Sequence, residues 1–227
     1  MTAADGLNAD FSARVAIDTN AMDWLESPSA GIHRKRLDHI GPEESGRVTS
    51  IVRFAAGCRF PEHGHPAGEE VFVLDGVFSD ETGNWGPGAY LFNPDGSRHS
   101  PWSDEGCTLF VKLRQGPGTD RTPVAINTTS LPFTETGVDG LTRLALSDDP
   151  GHPDASALFR FAPGCKVPQH DHPAGEEGFI LEGSVTDEHG RCPAGTWFRM
   201  PPGSGHSVWT DEACLIYVKT GHLGGLV

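Results

Sequence analysis

Nothing in this 227-residue chain approaches the roughly 18 consecutive apolar residues that a membrane-spanning helix needs. Basic residues are scarce: 17 Lys and Arg stand against 31 Asp and Glu, a formal net charge of −14 with neutral histidines. Phosphates repel a chain of that sign, so neither nucleic acid nor an anionic membrane is expected as a partner. Cysteine is sparse as well. The five present are odd in number and form no C-x-x-C pair, which leaves no fully paired disulfide framework. A reducing cytoplasm is the expected compartment. The segment MTAADGLNADFSARVAID has no basic stretch followed by an apolar one, so no secretory signal is expected. No stretch sustains a helical apolar period over three turns.

Turn formers, by contrast, are abundant, with 29 Gly and 18 Pro. Between them lie short runs rich in β-branched and aromatic residues: TSIVRF, EVFVLDGVF, GAYLFNP and CTLFVKL. These predict an all-β fold of antiparallel, jelly-roll barrels.

The chain also repeats itself. At an offset of 107 residues, RFAAGCRFPEHGHPAGEEVFVLDGVFSDETG falls on RFAPGCKVPQHDHPAGEEGFILEGSVTDEHG. The match runs without a gap to Lys112 and Lys219, with roughly half of the positions identical. Upstream, VAIDTNAMDWLES from Val15 matches VAINTTSLPFTET from Val124 at an offset of 109. Two extra loop residues between Asp38 and Glu44 of the first copy account for the difference. Two tandem domains are predicted, 1–116 and 117–227, joined at the polar, turn-rich RQGPGTDRT. They are expected to pack as an intrachain pseudo-dimer, with a homodimer as a further option.

Each copy carries the same octet, HGHPAGEE at 63–70 and HDHPAGEE at 170–177. Histidines two apart on a strand present both rings on one face. Glu69 and Glu70 alternate, so only one can join them; Glu176 and Glu177 pose the same choice. His99 and His206 follow, each after a tight turn. Histidines are common as surface or hydrogen-bonded core residues. Here six of the 11 fall at matched positions, and His33, His39, His152, His189 and His222 have no histidine counterpart. That selectivity points to a metal site in each copy. Three imidazoles and one carboxylate suit iron, zinc, manganese, nickel or copper.

The first copy fits G-x5-H-x-H-x3-E-x6-G from Gly57 to Gly76 and G-x5-P-x-G-x2-H from Gly88 to His99. The second fits both patterns from Gly164 to Gly183 and from Gly195 to His206. These spacings resemble the two signature motifs of the cupin superfamily, with Ser103 and Thr210 where the motif ends in Asn. The resemblance implies tandem cupin barrels and names the ligands: His63, His65, Glu69 and His99 in one, His170, His172, Glu176 and His206 in the other. HPAGEEVFVLDGVFSDETG and NPDGSRHSPWSDEGCTLFVKL are similar, more narrowly, to the cupin-like domain of ChrR-type anti-sigma factors. They are similar also to the dioxygenases that cleave acetylacetone and dihydroxyacetophenone. The first resemblance implies zinc and regulation, the second iron and oxygen chemistry on a small diketone or hydroxyketone. ChrR-type regulators grip their sigma factor through a separate helical domain with its own His/Cys site. No cysteine precedes Cys58 here, so sigma-factor binding is not expected. A small-molecule ligand is the expected partner.

Further matched residues carry weaker expectations. Arg53 and Arg160 either face a barrel interior or pair with an acidic residue at the rim. Cys58, Cys107, Cys165 and Cys214 are expected to be packing residues, and so are Trp102 and Trp209. The copies differ at Val71/Gly178, Phe92/Arg199, Asn93/Met200 and Arg98/Gly205. Different cavities are expected to follow.

Overall fold

The computed structural model describes residues 6–42 and 45–226, which divide into two compact units. Both are built of antiparallel strands. Among the described residues the helical pieces are two single 3-10 turns, Thr19–Ala21 and Thr128–Ser130. No described helix is long and apolar enough to cross a membrane. The expected insertion before Glu44 falls partly on residues 43–44, outside the described residues.

The main sheet of the first unit runs in the order Gly6–Leu7, Ile32–Ile40, Arg47–Phe54, Cys107–Leu113, Glu69–Gly76, Ala89–Asn93, Val124–Asn127. A second sheet holds Gly83–Trp85, Phe78–Asp80, Trp102–Ser103 and Cys58–Arg59, and His63–Gly64 pairs with Arg98–His99. Side-chain alternation sorts each strand. Val71 and Val73 join Val52, Phe54, Leu91, Leu109 and Phe78 in one apolar core, while Glu70 and Phe72 take the opposite face. The second unit repeats the plan. Its main sheet runs Thr134–Glu135, Leu141–Asp148, Ala155–Phe161, Cys214–Thr220, Glu176–Glu182, Thr196–Met200, Val15–Asp18.

The last strand of each list departs from the sequence division at 116/117. Val15–Asp18 pairs with Thr196–Met200, and Val124–Asn127 pairs with Ala89–Asn93. The first unit is therefore Met1–Ala9 with Asp23–Leu131, and the second is Asp10–Met22 with Pro132–Val227. Thr19 Oγ1 donates to the Gly195 carbonyl at 2.7 Å, and Thr128 Oγ1 to that of Gly88 at 2.6 Å. Self-similarity identifies equivalent segments. It carries no information on which sheet edge each segment completes.

The run EVFVLDGVF forms two strands, not one. The chain breaks at Gly76, where φ is +72° and an added Cβ would lie 2.1 Å from the Gly106 carbonyl oxygen. Gly183 repeats this with φ +68° and a 2.0 Å approach to the Ala213 oxygen. Only glycine meets both demands. Replacing either glycine by alanine is expected to cost at least about 2 kcal/mol, from backbone strain and overpacking together. Urea unfolding of Gly76→Ala and Gly183→Ala checks this; a midpoint equal to the parent's would show that the backbone can shift out of the way.

Candidate metal centre

In the first unit, the hairpin-like pairing of His63–Gly64 with Arg98–His99 sets His99 directly opposite His63. His65 follows two residues later, and Glu69 opens the next strand. One ligating atom from each of His63, His65, Glu69 and His99 lies within 4.8 Å of all the others, so the group could hold a metal ion. His65 Nδ1 is 3.4 Å and His99 Nε2 3.6 Å from Glu69 Oε2. Glu70, on the other face, accepts from Tyr90 Oη at 2.9 Å and takes no part.

The tautomers are set from behind. His63 Nδ1 lies 3.0 Å from the Pro61 carbonyl, which can only accept, so Nδ1 carries the proton and Nε2 is left for a ligand. His99 Nδ1 lies 3.3 Å from Asp80 Oδ2 in the same manner. Asp80 is itself held by Thr82, through its backbone N–H and its hydroxyl, and by Trp85 Nε1. Burial works against its charge, but the bonds from His99, Thr82 and Trp85 outweigh burial and hold its pKa at about 2. This carboxylate–histidine arrangement is the usual support of a metal-bound imidazole. His65 Nε2 is buried without a hydrogen-bond partner. Buried polar atoms are rarely left so, and a cation would satisfy it. Burial first, with the charges of neighbouring His99 and His63, lowers the pKa of His65 toward the neutral, ligating form.

The second unit assembles His170, His172 and His206 in the same way. His170 Nδ1 lies 3.0 Å from the Pro168 carbonyl, and His172 Nε2 and His206 Nδ1 are both buried without a hydrogen-bond partner. Asp187 stands where Asp80 does, 3.5 Å from His206 Nδ1, but it also meets Arg14 at 3.3 Å. Glu176 is the loose member. It approaches His172 Nδ1 to 3.5 Å and His206 Nε2 only to 4.0 Å. The cause is one substitution. In the first unit Asn93, directly across from Glu69, donates its Nδ2 to Glu69 Oε2 at 2.9 Å. Met200 occupies that place opposite Glu176 and offers no donor. Burial then pushes the Glu176 carboxyl up to about 8, and burial with the neighbouring histidines takes His172 down to about 4.

The cavities differ too. The first, about 270 Å³, is lined by all four cluster residues, by Val52, Phe54, Val71 and Leu109, and by Arg34, Arg36 and Arg114. The second, about 200 Å³, is lined by His170, Glu176, Asp187 and His206 and otherwise by apolar residues such as Phe159, Phe198 and Ile216. The pair Val71–Leu91 is replaced by Gly178–Phe198. A Cβ at Gly178 would sit 2.2 Å from Phe198 Cζ, so glycine makes room for the ring.

Arg53 and Arg160 do neither thing expected of them. Both are exposed and stack at 4.0 Å, over Trp24 and Phe133 respectively. Arg98 is exposed and pairs with Glu62 at 2.9 Å, and Arg199 is buried over the Phe11 ring at 4.0 Å. The five cysteines are unpaired and buried, with Cys107 and Cys214 pushed up by burial to about 11 and 12, in keeping with packing residues. Trp102 is half-buried with the Arg59 guanidinium 5.5 Å from its ring, and Trp209 is half-buried. Sequence reasoning missed Asp80 and Asp187, although their exact offset of 107 marked them. It also missed the three cavity arginines, of which Arg36 and Arg114 change to Ala145 and Gly221 in the second copy.

The Asn93 bond makes a testable difference. Removing such support typically costs a metal site about 10-fold or more in affinity. Asn93→Met is therefore expected to weaken the first site by about tenfold, and Met200→Asn to strengthen the second, in competition titrations with a chromophoric chelator. Because Glu176 must lose a proton to ligate, affinity at the second site is expected to rise by up to about tenfold per pH unit from pH 6 to about 8. A flat profile would exclude Glu176 from that site.

Comparison with known proteins places this geometry. The profile of the ChrR cupin-like domain matches residues 12–117 and again 121–224. No curated protein matches the chain in sequence. Among solved structures, a candidate dioxygenase from Nostoc punctiforme is 20% identical with a TM-score of 0.78, over 93% of this chain and 84% of that one. The protein Ylba of E. coli is 18% identical with a TM-score of 0.71, over 93% and 92%. An oxalate decarboxylase of Bacillus subtilis is 16% identical with a TM-score of 0.63, over 92% and 77%. At these identities the likeness is one of fold.

Proposed function

The chain belongs to the ChrR cupin-like family in both of its halves, and from that premise we propose that it is a metal-dependent dioxygenase of small diketones or hydroxyketones. His63, His65, Glu69 and His99 would hold a divalent ion in the first unit, and His170, His172, Glu176 and His206 in the second. Iron is the metal this reading favours; zinc fits the same donors. The observation that carries the proposal is that all four residues of the first cluster line a cavity. A ligand in that cavity can reach the metal, which a closed structural site would not allow.

When bound, the metal supplies Lewis acidity toward a substrate carbonyl. The chain does the rest. Asp80 and the Pro61 carbonyl hold the imidazoles of His99 and His63 in the ligating tautomer. Asn93 keeps Glu69 turned toward the histidines. Val52, Phe54, Val71 and Leu109 surround the substrate with apolar surface and limit water. The description of the Nostoc neighbour as a candidate dioxygenase is in keeping with this reaction class. The ChrR family match favours a second reading, a zinc-binding regulatory protein.

Metal analysis of protein purified without added metal or a nickel tag separates the two. The expected result is iron lost one site at a time in His63→Ala and His170→Ala. Oxygen uptake with acetylacetone should fall to background in His63→Ala and persist in His170→Ala. Zinc held at both sites with no oxygen uptake would replace the enzyme by the regulator. Metal in neither unit would defeat both readings.

A further inference from the structure

The deeply buried Ser and Thr hydroxyls of the first unit are hydrogen-bonded, with one exception among the described residues. Thr49 accepts from Lys112 Nζ at 3.0 Å and from Gln115 Nε2 at 2.9 Å. Ser79 donates to Asn84 Oδ1 at 2.7 Å, Ser103 to the Val77 carbonyl at 2.6 Å, and Thr128 to the Gly88 carbonyl. Ser50 is the exception. It is only 2% exposed and it lines the first cavity, yet its hydroxyl bonds to no described residue. A hydroxyl buried without a partner is costly, and native structures rarely keep one.

Strand pairing places this hydroxyl. Val48, Ser50, Val52 and Phe54 alternate along one face of Arg47–Phe54 and all line the cavity, while Thr49 takes the other face. Across the sheet Ser50 lies opposite Val111 and Arg36, and Val111 lies opposite Val71. Glu69 belongs to the adjacent row, with Leu113 and Val48. Ser50 therefore stands two strands away from the strand that carries the carboxylate, about 10 Å at two strand spacings. The same cavity touches both residues.

The arginines of the lining are already engaged. Arg34 and Arg36 have interactions of their own, and Arg114 donates to the Gly46 carbonyl at 3.2 Å. The second unit has no counterpart to Ser50. Its row reads Ala145, Ala157, Val218 and Gly178 where the first has Arg36, Ser50, Val111 and Val71. Phe159 replaces Val52 and Phe198 replaces Leu91, and the Phe198 ring takes the space over Gly178. Where the wall is closed by rings the hydroxyl is gone; where the cavity is wider it is kept.

We propose that Ser50 sets the specificity of the first cavity: its hydroxyl binds an uncharged oxygen, hydroxyl or carbonyl, at the end of the ligand remote from the His/Glu cluster. The substrate class narrows from any small diketone or hydroxyketone to one that carries a further oxygen beyond an apolar stretch. An analogue without that oxygen leaves Ser50 unpaired in an apolar wall, which is how such a site discriminates. The second unit, with Ala157, has no means of telling the two apart. This rests on the reading of the first cluster as a metal-centred substrate site. A cavity of about 270 Å³ has room for both oxygen-bearing ends on one small molecule.

Zinc-loaded full-length chain tests this by calorimetry without turnover. The probes are straight-chain hydroxamates of graded length in matched pairs, one ending in a hydroxyl and the other in a methyl group. The hydroxamate end ligates zinc, and the hydroxyl can meet Ser50 as donor or acceptor. At one chain length the hydroxyl-ended probe is expected to bind about tenfold more tightly than its methyl partner. Ser50→Ala, which copies the second unit, should erase that preference and leave the methyl-ended probe bound as before. It should also melt no lower than the parent, because no hydrogen bond within the protein is lost. Zinc at the first site is counted beforehand, against His63→Ala. A chain that takes up no zinc there fails at the metal reading itself. A chain that holds zinc there, yet binds both probes alike at every length, or neither, or keeps its preference in Ser50→Ala, overturns the Ser50 assignment alone. A clearly lower melting midpoint of Ser50→Ala would do the same, by giving the hydroxyl a role in the fold.

Discussion

Everything at the candidate site depends on strand alternation at the start of Glu69–Gly76. Because successive side chains point to opposite faces, Glu69 meets His65 and His99 while Glu70 meets Tyr90. The same alternation places Val71 and Val73 behind Glu69 as apolar wall and core. A slip of one residue in register would turn the apolar side chains out of the core and take the ligating carboxylate away from the histidines. The hydrophobic core thus sets the register that the metal cluster needs, and burial of the strand and placement of the ligand are one event.

The cluster could hold a cation and is costly to bury without one. His65 Nε2 and His172 Nε2 are buried with no hydrogen-bond partner; three imidazoles crowd together in each unit, with Glu69 among them in the first. The supporting groups are fixed: a proline carbonyl behind one histidine and an aspartate behind another. Preorganisation of this kind moves the cost of arranging ligands from metal binding to folding.

Between the two units the same frame is used differently. Asn93 against Met200 decides how firmly the glutamate is held, and Val71–Leu91 against Gly178–Phe198 decides how much space lies beside it. Arg36 and Arg114 against Ala145 and Gly221 put guanidinium groups in the lining of the first cavity and leave the second without those two. Each change is a single residue on a strand face or strand end. The two cavities therefore differ in lining without a change of strand plan.

The amino-acid sequence determined the β architecture, the tandem repeat and the histidines of each cluster, because these follow from local periodicity, turn chemistry and ligand spacing. It also determined, through alternation, that one glutamate of each adjacent pair must point away. Tertiary structure alone decided the rest. Val15–Asp18 and Val124–Asn127 complete sheets that their positions in the chain do not indicate, since pairing depends on which edge is open. Asp80 reaches His99 from 19 residues away, and Arg34, Arg36 and Arg114 come to one cavity from two distant strands. Arg53, on a strand of the same sheet, is turned outward over Trp24. Linear spacing sets which face of a strand a residue takes. Only the closing of the sheet decides which of those faces surround the same space.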